Sequence, residues 1–147
     1  MRRRLPVLLL LAALVATCTL KDDDPYKAPP DVAAPPADAL RTPSGLASKV
    51  LSIGVGTVHP GLQSSVTVNY TGWTADGQMF DTTVLRSGPA TFKLTEVIPG
   101  WTEVLQLMTK GEKRRVWVPA NLAYGDHPAG GQPAGMLCFE IELLEVR

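Results

Sequence analysis

The residues best placed to do chemistry in this chain are aromatic. Val97-Ile98-Pro99-Gly100-Trp101 packs two branched apolar side chains, a proline, a glycine and an indole into consecutive positions. Pro99 suits the first turn of a helix, because its φ is already fixed and its missing N–H would be unpaired there anyway. Trp101, Val104, Leu105 and Met108 then fall at i, i+3, i+4 and i+7, one apolar face of a short helix. A loop-to-helix junction of this kind suits the floor of an apolar pocket. Tyr70, Phe80, Tyr124 and Phe139 place one further aromatic on each of several other segments. Taken singly, each is expected in a core. Most covalent or metal-assisted chemistry lacks its residues. The two histidines, His59 and His127, are not at ligand spacing, so no metal site is predicted. There is no G-x-S-x-G elbow, phosphate-binding loop or G-x-G-x-x-G, and hence no cofactor motif. Asp76 and Asp81 sit around one turn, a poor arrangement for paired-carboxylate hydrolysis.

The elements that must position these residues are mostly strands. Leu46 to Val55 has a strand-like pattern ending at Gly54 and Gly56. Ser65 to Trp73 alternates, with Val66, Val68 and Tyr70 on one side and Thr67, Asn69 and Thr71 on the other. Asp76-Gly77 marks a turn into a strand through Met79, Phe80 and Asp81. Ala90 to Leu94, Glu112 to Val118 and Met136 to Val146 are further strands. The helix is predicted from Pro99 to about Met108, closed by Lys110 and a C′ glycine at Gly111. Many strands, one short helix and no βαβ rhythm predict an antiparallel α+β domain, one sheet packed on one helix.

The folded domain is expected over residues 44–147. Met1-Arg2-Arg3-Arg4 followed by the apolar run Leu5 to Val15 reads as a signal peptide over residues 1–18. Val15-Ala16-Thr17-Cys18 resembles a bacterial lipobox, which would lipidate Cys18 and anchor the protein to a membrane. Cleavage after Ala16 to a secreted product is the alternative. The only other cysteine, Cys138, lies in a strand pattern and is expected to be a buried free thiol. Residues 19–43, rich in proline and alanine and poor in large apolar groups, are predicted to be a disordered linker. Fourteen basic residues balance fourteen acidic ones, so no basic excess points to nucleic acid.

Tyr70-Thr71-Gly72, Asp76-Gly77, Phe80-Asp81, Val97-Ile98-Pro99-Gly100-Trp101, Leu122-Ala123-Tyr124-Gly125 and Leu137-Cys138-Phe139-Glu140-Ile141 occur in an order and at intervals that resemble FKBP-type peptidyl-prolyl cis-trans isomerases. The resemblance runs from about Thr42 to Arg147, and Thr42-Pro43-Ser44-Gly45-Leu46 resembles the start of the domain in bacterial envelope members. It implies a five- or six-stranded antiparallel sheet curled around the short helix, an FKBP-like fold. Tyr70, Phe80, Asp81, Trp101, Tyr124 and Phe139 would form the catalytic pocket, with Trp101 as its floor. Val97 and Ile98 would bind substrate, Ile98 and Tyr124 through hydrogen bonds, and Arg86 would pair with Asp81. The implied substrates are proline-containing polypeptides exported to the bacterial cell envelope, turned over without a cofactor by a monomer.

Two departures from the family pattern bear on activity. Ala90 stands where a pocket-edge aromatic is common. The loop from Tyr124 to Phe139 is roughly two residues shorter than usual by motif alignment, with Gly130-Gly131 at its tip. Of the two, the shortened loop predicts a more open site and weak binding of the family's macrolide inhibitors. Both departures keep alive an alternative function, a low-turnover chaperone or scaffold module that binds proline segments.

Overall fold

The computed structural model describes Asp24 and residues 26–147. Seven strands form one antiparallel sheet: β1 (Leu40–Arg41), β2 (Ala47–Ser52), β3 (Ser65–Thr74), β4 (Met79–Thr82), β5 (Ala90–Lys93), β6 (Lys113–Val118) and β7 (Leu137–Val146). Their order is β1-β2-β6-β7-β3-β4, and β5 also pairs with β3. The long central pair β3 and β7 runs from Val66↔Val146 to Thr74↔Leu137. On its other edge β3 is shared, with β5 along Ser65 to Val68 and β4 along Thr71 to Trp73. The segment between β4 and β5 therefore leaves the sheet beside Tyr70, where Thr83 N–H donates to the Tyr70 carbonyl (2.9 Å).

Alternation along these strands places Val66, Val68, Val116, Val118, Phe139, Ile141 and Leu143 in one core with Trp101, Val104, Leu105 and Met108. Helix α1 (Pro99–Leu105) begins on Pro99, with Ile98 at its N-cap and no side-chain cap. Here the tertiary packing supplies the helix stability that seven residues cannot supply alone. The helix is shorter than the apolar periodicity predicts. After Leu105 the chain continues in i→i−3 turns, Leu107 N–H to Val104 O and Met108 N–H to Leu105 O, which still bury Met108. Nor does Gly111 act as its C′ residue. Gly111 has φ +84 and donates its N–H to Leu143 O (2.6 Å), so it turns the chain into β6.

The prediction of a disordered linker fails for residues 26–43, which lie against the convex face of the sheet. Two indoles anchor this strap: Trp117 Nε1 donates to Asp31 O (2.8 Å), and Trp73 Nε1 to Tyr26 O (3.0 Å). Val32 and Ala39 pack with Met136 over Ala47, Trp117 and Cys138. The Asp31 carboxylate accepts from Arg115 (2.8 Å), whose guanidinium also donates to Glu140 (2.7 Å). Leu40 and Arg41 then add β1 to the sheet edge. Few large apolar groups are needed because the sheet supplies them: Trp73 and Trp117 face outward and must be covered. This strap contributes the strand beyond the five or six expected. Cys138 is free and buried beneath it. Cys18 and the signal-peptide residues lie outside the described residues. Among the described residues no helix is long and apolar enough to cross a membrane.

Candidate active site

A cleft of about 480 Å³ opens between the concave face of the sheet and the N-terminus of α1. Its floor is Trp101, 4% exposed. Three aromatic rings stand on edge around this indole: Tyr70 at 4.9 Å, Phe139 at 5.4 Å and Phe92 at 5.7 Å between centroids, with interplanar angles of 81–90°. Edge-to-face pairs at such separations are favoured by the ring quadrupoles and hold each other in place. Phe80 extends the wall by packing on Phe139 at 5.5 Å. Among the described residues, the Trp101 indole N–H is buried without a hydrogen-bond acceptor.

Two close approaches explain why glycines sit in the frame. A Cβ on Gly72, opposite Phe139 in the β3–β7 register, would lie 2.7 Å from Phe80 and 2.8 Å from Phe139. A Cβ on Gly100 would collide with Val118, so its absence lets α1 press against β6 and seat Trp101 in the core.

The polar side of the cleft is built across β3 and β4. Gly72 faces Asp81 in register, which sets Tyr70 diagonal to Asp81. The Tyr70 hydroxyl donates to Asp81 Oδ2, and Arg86 donates to Oδ1 (2.7 Å). Burial, and next the Asp81 carboxylate accepting its proton, push the Tyr70 phenol well above the usual tyrosine range. Tyr70 is thus a neutral wall at all physiological pH. Tyr124 follows the short 3₁₀ turn Ala120–Leu122 and is 42% exposed at the rim. Ile98 accepts at its carbonyl from Trp101 and Thr102 N–H. Its own N–H has no acceptor among the described residues, as expected of the residue that opens a helix.

All nine pocket residues named from the sequence within the described chain, Tyr70, Phe80, Asp81, Arg86, Val97, Ile98, Trp101, Tyr124 and Phe139, line this one cleft. Phe92 and Glu96 line it too and were missed. Phe92 had a signal: in the alternating strand Ala90–Lys93 it shares a face with Ala90, the position already compared with a pocket edge. Glu96 had none, because an acidic residue before an apolar run looks like ordinary surface. The loop after Tyr124 closes at its neck through Gly135 N–H to Gly125 O (2.9 Å), and none of residues 125–136 lines the cleft. Among its lining residues there is no serine, cysteine, histidine or lysine. What remains is a rigid, apolar, ring-shaped slot with a few polar groups at its mouth.

A curled antiparallel sheet thus holds an aromatic-lined slot against one short helix. The sequence pattern of the FKBP-type peptidyl-prolyl cis-trans isomerase family matches residues 53–144, and this chain belongs to that family. It is 49% identical over 107 residues to Outer membrane protein MIP of Legionella longbeachae, covering 71% of this chain and 46% of that protein. It is 48% identical over 106 residues to the isomerase FkpA of Aeromonas hydrophila, covering 71% and 39%. The chain therefore spans less than half the length of these two relatives. The crystal structure of FkpA from Escherichia coli superimposes with a TM-score of 0.71 at 38% identity, covering 76% of this chain and 53% of that one. A Pseudomonas syringae peptidyl-prolyl cis-trans isomerase gives 0.67 at 36% identity, covering 76% and 82%.

Proposed function

We propose that this protein is a peptidyl-prolyl cis-trans isomerase acting on X–Pro bonds of exported polypeptides, with the Trp101 cleft as its active site. The observation that carries this reading is the indole floor ringed by three orthogonal aromatics, a slot of the shape and polarity of a proline ring. The barrier to rotation about a peptide bond is about 18–20 kcal/mol, because resonance keeps it planar. Uncatalysed X–Pro isomerisation consequently takes roughly tens to hundreds of seconds. The planar amide is more charge-separated than the twisted one, so water favours the ground state. An apolar cleft removes part of that advantage, and every ~1.4 kcal/mol of preference for the twisted form is tenfold in rate. Trp101 supports the ring from below, while Tyr70, Phe80, Phe92 and Phe139 exclude water around it. The Ile98 N–H and the Tyr124 hydroxyl hold the peptide at the mouth. Asp81, locked between Tyr70 and Arg86, keeps the Tyr70 ring upright.

The relatives named above include an outer membrane protein, and the leader pattern at residues 1–18 points the same way. We place the protein in the bacterial cell envelope, tethered through lipidated Cys18, and as a monomer. Intact mass of membrane-extracted protein tests the tether: absence of acyl chains removes it. The decisive functional test is proline-limited refolding of a slow-folding protein with catalytic amounts of the full chain. Acceleration is expected; none would leave the low-turnover binding module. That second reading is favoured by one observation, the absence of residues 125–136 from the cleft lining. The same openness predicts weak binding of macrolide inhibitors.

A further inference from the structure

The three charged residues of the cleft lining are Asp81, Arg86 and Glu96. Two of them cancel: Asp81 is bonded by Arg86 at 2.7 Å and by the Tyr70 hydroxyl. Glu96 is exposed and, among the described residues, has neither an ion pair nor a hydrogen bond to its carboxylate. Lys93, three residues before it on β5, makes no ion pair with it. The cleft mouth therefore carries one uncompensated negative charge beside an apolar slot. Apolar walls with a single sign of charge concentrate counter-ions of the opposite sign.

We propose that Glu96 is a specificity residue that makes this cleft prefer prolines flanked by a lysine or arginine. The proposal rests on the reading of the cleft as an X–Pro site. The apolar slot takes the proline ring, and Glu96 acts on the residues flanking it. An ion pair at an exposed position is worth little, so the preference is modest, roughly two- to fivefold between lysine and glutamate neighbours. It must also fall with added salt, because exposed charges are screened.

The test uses the full chain and two series of short peptides with lysine, leucine or glutamate, placed either just before or just after one proline. NMR titration gives the affinity of each peptide, and exchange spectroscopy gives its cis–trans rate. Lysine peptides are expected to bind about two- to fivefold more tightly than glutamate peptides in one of the series at low salt. The difference should vanish in Glu96→Gln and reverse in Glu96→Lys, with folding of each variant checked by circular dichroism. Equal affinities in the native protein, or a lysine preference that survives Glu96→Gln, overturn the proposal. A Glu96-dependent affinity preference without any rate enhancement supports it while refuting the isomerase reading. Failure of every peptide to bind overturns both.

Discussion

Gly72→Ala probes the link between the sheet and the aromatic walls in a single methyl group. Gly72 is not among the positive-φ glycines, so alanine fits its backbone. At such a position the substitution normally stabilises by about 0.4–1 kcal/mol, through lost freedom of the unfolded chain. Here the new Cβ would lie 2.7 Å from the Phe80 ring and 2.8 and 2.9 Å from two carbons of Phe139. Phe139 is 3% exposed and cannot retreat, because Trp101 stands 5.4 Å and Phe80 5.5 Å from its centroid. Overpacking of this kind costs about 1–3 kcal/mol, so the net sign should invert. A control exists in the same chain: a Cβ on Gly61 meets only Ser64 Oγ at 3.9 Å. Urea unfolding followed by tryptophan fluorescence should show a lowered midpoint for Gly72→Ala, and an unchanged or raised one for Gly61→Ala. Proline-peptide affinity should fall only in Gly72→Ala, because the displaced walls belong to the cleft. Equal midpoints together with unchanged affinity would refute the claim that Gly72 exists to admit these rings.

Trp101→Ala removes the floor: at a core site this costs about 3–5 kcal/mol of stability, and a folded variant should no longer accelerate proline-limited refolding. Full acceleration by that variant would show that the catalytic slot lies elsewhere. Asp81→Asn should bring Tyr70 ionisation back toward the ordinary tyrosine range, read as absorbance at 295 nm, because Asp81 contributes to raising it after burial. Since Tyr70 titrates higher in the folded protein than its ordinary value of about 10, its contribution to stability is complete below that pH. It is lost between that pH and the folded value, so bringing the folded value down in Asp81→Asn should make stability fall less with pH above about 10 than in the native protein. Cys138, whose thiol burial pushes up to about 12, should resist a thiol reagent in the native protein. Removing residues 1–39 should make it reactive and lower stability by at least about 1.5–3 kcal/mol, the value of one hydrogen bond between charged groups such as the Asp31–Arg115 pair, with the two indole bonds adding to it. A thiol equally protected without the strap would show that the sheet alone covers it.

The order and spacing of the motifs gathered nine cleft residues through their resemblance to a family, whereas strand alternation and the i, i+3, i+4 spacing of the helix by themselves mark only which side chains face inward. The strands themselves were legible from that alternation. The helix end was not: apolar spacing continues to Met108, but the backbone leaves α-helical bonding after Leu105 and buries the rest in tighter turns. Phe92 was within reach of the alternation that marks Ala90, whereas Glu96 carried no local signature. The strap over residues 26–43 shows the limit most clearly. Proline and alanine there lack the apolar area to fold alone, and local composition is all that a linker prediction weighs. What orders the segment lies far away in the chain, in Trp73 and Trp117, two indoles on the face of the sheet that alternation assigns to solvent. By itself, the sequence determined the strands and the helix start through local periodicity, and nine of the cleft residues through the order of its motifs. Only the tertiary structure decided where the strap docks, how Gly72 admits the walls, and that Glu96 stands at the mouth without a partner among the described residues. Those depend on distances between residues remote in sequence.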